Sequence, residues 1–178
     1  MWFQILRSAQ NDNYGTALQK DRMADDLLHA LGRVTSGIYI LTIGQGDRST
    51  GMLASWVMQA GFEPPMVTIA VRKGRYVAEW LAEGQPFVLN VVGEGQKQLL
   101  RHFAKGFEPG EPAFDGVDVR AAANGVPLLA ESLGYIECEP ASQIDSGDHQ
   151  ILLAHVTAGA MLSELAPMVH IRKTGAHY

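Results

Sequence analysis

A mainly β domain, built as a closed or nearly closed antiparallel barrel with a few short helices, is what this sequence predicts. Short segments rich in β-branched and aromatic residues recur between turn signals, while few stretches show helical spacing. Strands and helices do not alternate as a doubly wound sheet requires. The 178 residues fit one ordinary domain, and 47% hydrophobic against 19% charged residues supply a core without disulfide staples.

Residues 1–22 differ from the rest. The run Arg7-Ser8-Ala9-Gln10-Asn11-Asp12-Asn13-Tyr14 is amide-rich and aperiodic, which marks a flexible N-terminal extension and starts the folded domain, residues 23–178, at Met23. From Ala24 to Val34, the residues Leu27, Leu28, Leu31 and Val34 fall at helical spacing, with Asp25 and Asp26 in the first turn where the helix dipole favours negative charge. Gly37 to Ile43 reads as a strand, Gly44-Gln45-Gly46-Asp47 is turn chemistry, and Gly51 to Met58 completes a hairpin. Met66 to Arg72 follows the rigid pair Pro64-Pro65 as a further strand, and Pro86 to Val92, Leu133 to Glu139, His149 to Thr157 and Met168 to Arg172 complete the set. Two helices interrupt them: Arg75 to Ala82, with Tyr76, Val77, Trp80 and Leu81 on one face, and Gly95 to Lys105, with Leu99, Leu100 and Phe103. Between Lys105 and Pro127, Gly, Pro and Glu abound, so a long surface loop with few buried apolar contacts is expected.

Several function classes are disfavoured. Net charge is −5, from 14 basic and 19 acidic side chains, and no Lys/Arg cluster of about five to eight residues interrupts the chain, so the footprint of a nucleic-acid binder is missing. The single cysteine, Cys138, allows no C-x-x-C motif and reads as a buried structural thiol. No apolar run reaches the ~18 residues of a membrane-spanning helix, and Met1 to Leu6 is too short for a secretory signal, so a cytoplasmic protein is expected. The histidines show no ligand spacing, no His-Glu-x-x-His zinc motif occurs, and no metal site is expected. The Gly-x-Ser-x-Gly nucleophile elbow and the Gly-x-Gly-x-x-Gly phosphate loop are also missing.

Three segments remain on which chemistry can sit. Arg72-Lys73-Gly74-Arg75 lies where a strand gives way to a helix; it suits a phosphate and equally suits a solvated basic turn. Gly51-Met52-Leu53-Ala54-Ser55-Trp56 mixes small residues, which let a ligand approach the backbone, with apolar walls; a flat heteroaromatic ring needs that combination, and so does plain strand packing. Ser146-Gly147-Asp148-His149 is a tight turn that delivers an imidazole, flanked by an acid, onto the first residue of an apolar strand. That ring either meets a ligand at the barrel mouth or bonds nearby backbone.

These segments, in this order, resemble the flavin reductase-like family. The likeness runs from residue 24 to 178 through Gly32-Arg33-Val34-Thr35-Ser36-Gly37, Met52-Leu53-Ala54-Ser55-Trp56 with Pro64-Pro65, Phe87-Val88-Leu89-Asn90, Gly147-Asp148-His149 and the closing Val169-His170-Ile171-Arg172. It looks most like the flavin reductase domain at the C-terminus of cyanobacterial diflavin flavoproteins. The resemblance implies an FMN-binding split β-barrel of Greek-key antiparallel strands that forms a homodimer. It implies an NAD(P)H:flavin oxidoreductase that passes hydride from NADH or NADPH to bound FMN, or to FAD in its place. Electrons then go to an acceptor protein, or reduced flavin leaves. A non-catalytic flavin-binding electron-transfer module is the alternative. Carried over by position, Leu53, Ala54, Ser55 and Trp56 would line the ribityl chain and ring, Gln59 and Ala60 would bond the ring's polar edge, and Arg72, Lys73 and Arg75 would neutralise phosphate. Asn90 and His149 would face the ring or the nicotinamide, with His149 the catalytic candidate. Met58 departs from the small polar residue common among relatives. The diiron and flavodoxin-like domains of diflavin flavoproteins do not fit in 178 residues.

Overall fold

The computed structural model describes residues 21–176 and divides into two compact units, which are taken separately. The expected extension, residues 1–22, lies outside the described residues except for its last two, which already belong to a helix.

In the smaller unit that helix, α1, covers residues 21–32. The chain's last described segment runs beside it: the Gly175 amide donates to the Leu28 carbonyl at 2.6 Å and the Arg172 amide to the Gly32 carbonyl at 3.1 Å. The amphipathic stripe expected here is only partly covered within the unit. Leu28 is half-buried, but Leu27, Leu31 and Val34 are 59%, 45% and 63% exposed, because the covering segment is short and docks through backbone hydrogen bonds.

The larger unit, Ser36–His170, holds the barrel. Its strands are β1 (Ser36–Gly37), β2 (Tyr39–Ile43), β3 (Thr50–Ala54), β4 (Val57–Phe62), β5 (Pro65–Arg72), β6 (Phe87–Val91), β7 (Val119–Ala121), β8 (Pro127–Leu129), β9 (Gly134–Ser146), β10 (His149–Met161) and β11 (Val169–His170); its helices are α2 (Tyr76–Ala82) and α3 (Lys97–Phe103). The main sheet is antiparallel throughout, in the order β3-β2-β6-β9-β10-β5-β4. Its two outermost strands, β3 and β4, are consecutive in the chain and joined by only Ser55 and Trp56. A sheet whose opposite edges are two residues apart must curl on itself, and that closes the barrel.

Alternation fills it. Leu41 and Ile43, Met52 and Ala54, Val67, Ile69 and Val71, Phe87 and Leu89, and Leu152 and Ala154 point to one interior cluster, which α2 caps with Val77, Ala78, Trp80 and Leu81. A second cluster on the outer face joins Ile38, Ile40 and Val92 to Leu99 and Phe103 of α3. Gly51 makes that contact possible: a Cβ there would sit 2.7 Å from Cε1 of Phe103.

The barrel is split by its longest hairpin. The first part of β9 pairs with β6, whereas the first part of β10 pairs with β5, so the two halves of the sheet share only β9 and β10. Ala141 and Thr157 are extra residues in that pairing, and such bulges bend the hairpin where its neighbours change. Both strands run well past the expected ends at Glu139 and Thr157. Apart from the exposed Ile144 and Met161 their outer halves are polar or small, which leaves no apolar alternation to mark them.

The stretch 105–127 departs from expectation. It contains β7 and the turn into β8, and buries Phe107, Ala113, Ala122 and Val126 at 7%, 1%, 8% and 1% exposure. The Glu137 carboxylate beneath it, 2% exposed, accepts hydrogen bonds from the Ala123 and Asn124 amides at 3.1 and 2.8 Å, which satisfies a charge that burial would otherwise penalise. Cys138 is fully buried, as its surroundings in sequence suggest, and desolvation pushes its thiol up to about 12.

Candidate functional site

The β9–β10 turn is built for precision. Ser146 and His149 face each other across a two-residue loop, with Gly147 at φ 84 and Asp148 at negative φ, the signature of a type II′ hairpin whose first central position suits glycine. The Gly147 amide donates to Asp145 Oδ1 at 2.9 Å. The turn is also tied to the end of β5: His149 pairs with Arg72, the Lys73 amide donates to the Asp148 carbonyl at 3.0 Å, and Lys73 Nζ reaches Asp145 Oδ2 at 2.5 Å. The Lys73 hydrogen bond, followed by that from the Gly147 amide, holds the Asp145 carboxyl below its ordinary range.

His149, 6% exposed, lies against Trp56 with ring centroids 4.8 Å apart and planes at 43°. Its Nδ1 is 2.8 Å from Asp148 Oδ1. The hydrogen bond from His149 lowers the Asp148 carboxyl, so that side chain is ionised at neutral pH and only accepts; Nδ1 therefore carries the proton. Trp56 comes from the β3–β4 corner, held by the Ala70 amide donating to its carbonyl at 3.0 Å. Ala54 and Ser55 precede it at 7% and 8% exposure, whereas Arg72, Lys73 and Arg75 are exposed. One end of the barrel thus brings together a corner of small residues, an indole, an imidazole of fixed tautomer and exposed cations.

The sequence model of the family described as "Flavin reductase like domain" matches residues 31–176. The chain belongs to the flavin reductase-like family. A curated relative, Diflavin flavoprotein A 1 of Synechocystis sp., is 43% identical over 162 residues, which is 90% of this chain and 28% of that protein. The chain thus spans less than a third of that relative's length. Among solved structures, the NADH:FAD oxidoreductase of Streptomyces globisporus C-1027 superposes with a TM-score of 0.72 at 27% identity, covering 82% of this chain and 81% of that one. The styrene monooxygenase flavin reductase of Pseudomonas putida S12 gives a TM-score of 0.68 at 26% identity, covering 80% and 90%. The expected mainly β fold of this family is the one observed.

Within this flavin reductase-like barrel the sequence-chosen residues separate. Ala54, Ser55, Trp56, Arg72, Lys73, Arg75 and His149 lie on the three segments that meet at one end. Leu53, one residue out of phase with Ala54, packs into the outer cluster with α3. Gln59 pairs with Val67, five residues along β5 from Arg72, which places Gln59 and the neighbouring Ala60 roughly 16 Å along the strand from His149. Gln59 instead borders a largely apolar cavity of about 640 Å³ with Tyr39, Met66, Tyr135 and Met161. Asn90 lies in the core. It is fully buried, its Nδ2 donates to the Ile40 carbonyl at 3.0 Å and to Thr42 Oγ1 at 3.1 Å, and its Oδ1 accepts from the Leu129 amide at 2.7 Å. An amide so occupied ties β6 to β2 and β8. Sequence reasoning missed Asp145, whose role appears only when the hairpin sets it beside Lys73, and Tyr76, whose hydroxyl meets Thr50 and the Phe107 carbonyl.

Proposed function

We propose that this chain is an NAD(P)H:flavin oxidoreductase that binds FMN or FAD at the Trp56–His149 end of the barrel and accepts hydride from NADH or NADPH. The observation that carries this is the convergence there of Trp56, His149 and the Arg72–Arg75 cations, held by backbone pairing of the β9–β10 turn to β5. The donor set fits a phosphorylated isoalloxazine: apolar and small residues for the ring, exposed cations for the phosphate. When bound, the flavin supplies the two-electron chemistry that no side chain here can.

The chain's own residues bind and orient. Trp56 and the buried Ala54-Ser55 corner give a dry wall that excludes water from one ring face. Arg72 and Arg75 offset phosphate charge, and Lys73 shares its ammonium between that role and Asp145. His149, pinned through Nδ1 by Asp148, is the group that would orient nicotinamide or hold a proton near it.

A homodimer belongs to the same proposal. Met58, Phe62, Ile144 and Met161 are 68%, 89%, 66% and 69% exposed, and the apolar cavity beside Gln59 is the kind of surface a second copy covers. Gln59 and Ala60, remote from His149 within one chain, would then serve a site completed across the interface. A cytoplasmic setting fits the buried, unpaired Cys138, and no helix of the described residues is long and apolar enough to cross a membrane.

The test is anaerobic. Purified protein mixed with FMN or FAD and NADH or NADPH should bleach the flavin's visible band far faster than flavin and nicotinamide alone. Flavin binding without nicotinamide oxidation would leave an electron-transfer module, and failure to bind either flavin would end the proposal.

A further inference from the structure

A second cavity, of about 230 Å³, lies at the C-terminal end of α2, away from its Arg75 end, and is bordered by Gln45, Arg48, Trp80, Gln85, Pro86 and Val126. We infer that it is a separate binding site, for a small monocarboxylate with a flat apolar body. The inference does not depend on the flavin site proposed above.

The walls are fixed from two sides. Gly84, at φ 82, ends α2 so that its own amide donates to the Leu81 carbonyl and the Gln85 amide to the Trp80 carbonyl, both at 3.1 Å, which sets Gln85 beside the indole. Across the cavity, Gln45 Nε2 donates to the Asn124 carbonyl at 2.9 Å, a reach that Gly125 permits, since a Cβ there would stand 2.6 Å from that nitrogen. Asn124 is itself anchored by the buried Glu137 carboxylate. Trp80 and Val126, 7% and 1% exposed, close the floor together with Pro86.

Charge and floor select the ligand. The Arg48 guanidinium lies over the indole, with Cζ 5.6 Å from the ring centroid. Among the described residues no carboxylate comes within ion-pair distance of it. Its planar fork matches a carboxylate through two parallel hydrogen bonds. Gln45 and Gln85 each use one amide N–H on the protein, the latter toward Glu83 Oε2 at 3.2 Å, and each retains a second for a ligand oxygen. Glu83 limits the charge: its carboxylate beside Gln85 opposes a second negative group, so a phosphate monoester or a dicarboxylate fits less well than a single carboxylate. Below the guanidinium, the indole, the proline ring and the valine form an apolar surface suited to a flat hydrocarbon body. At about 30 Å³ per water the space equals roughly eight water molecules, which excludes a nucleotide and admits an acid the size of benzoate.

Calorimetry and amide chemical-shift mapping on the full chain test the assignment, with benzoate as probe and benzamide as its neutral counterpart. Benzoate should bind and shift the amides of Gln45, Arg48 and Gln85 while leaving that of His149 in place, and benzamide should bind about tenfold more weakly or worse. R48Q, at an exposed position, should weaken benzoate by about tenfold or more, and R48K, which keeps the charge without the planar fork, should fall between the two. Saturating FMN should leave the benzoate affinity unchanged. Benzoate that fails to bind, binds R48Q as tightly as the wild type, is displaced by FMN, or shifts chiefly Trp56 and His149 would overturn the site. Benzoate binding at Arg48 in a protein that takes no flavin would uphold this site while refuting the proposed function.

Discussion

Replacing Asn90 with alanine separates a core role from a ligand-facing one. N90A would orphan the buried Leu129 amide, now held at 2.7 Å, and remove the two hydrogen bonds to the Ile40 carbonyl and Thr42 Oγ1. An unsatisfied buried N–H costs about 1–3 kcal/mol, and the net loss of a made hydrogen bond about 0.5–1.5 kcal/mol. Ile40 stays in the β2–β6 ladder and the Thr42 hydroxyl keeps its bond to the Pro127 carbonyl at 2.5 Å, so the lower end applies to those two. The total is about 2–4 kcal/mol, which for a domain of this size lowers Tm by roughly 5–15 °C. Urea unfolding should show a lower midpoint at unchanged slope, and FMN titration of the folded fraction should give the wild-type Kd. A variant with wild-type stability and lost flavin affinity would refute the placement of Asn90 in the core.

Three further outcomes are expected. Gly51→Ala forces a methyl to 2.7 Å from the Phe103 ring and should cost about 1–3 kcal/mol in denaturant unfolding, since α3 must shift to admit it. Cys138 should resist a thiol reagent at pH 8 until the chain unfolds; because its folded value of about 12 exceeds the ordinary 9.0, the unfolded state ionises first, and stability should fall as pH rises above 9. Asp145 and Asp148 have carboxyls lowered below the ordinary 3.8, so their stabilising contribution is present above that pH and is lost as acid carries the solution through their folded values. D145N should flatten that acid limb and, by releasing Lys73, tighten FMN binding, as an acid unfolding series and a flavin titration would show.

Most strands were legible because each interior wall is written in period two. Leu41 and Ile43, or Val67, Ile69 and Val71, alternate with residues of the other face, and side chains on a strand can obey no other period. The tight turn at Gly147 was legible from residue type, because a two-residue hairpin needs positive φ. The outer halves of β9 and β10 were not, since exposed strands held by backbone pairing leave no mark in the side chains. Nor was the packed stretch 105–127: Phe107, Ala113 and Val126 reach the core from irregular backbone, at spacings that match no period. The α1 stripe was legible as a pattern, but the pattern could not say what covers it.

At the candidate site, local sequence dictated that a histidine would follow a tight turn, that cations would follow a strand, and that small residues would precede Trp56. Tertiary structure alone decided that these three places meet. Pairing of β10 with β5 sets His149 opposite Arg72, and the two-residue link between the sheet's outermost strands carries Trp56 onto the imidazole. Tertiary structure also took Asn90 into the core and gathered Gln45, Arg48, Trp80 and Gln85 around one cavity. The reason is physical: hydrogen-bond register and barrel closure couple residues dozens of positions apart, and neither leaves a periodic trace in the chain that obeys them.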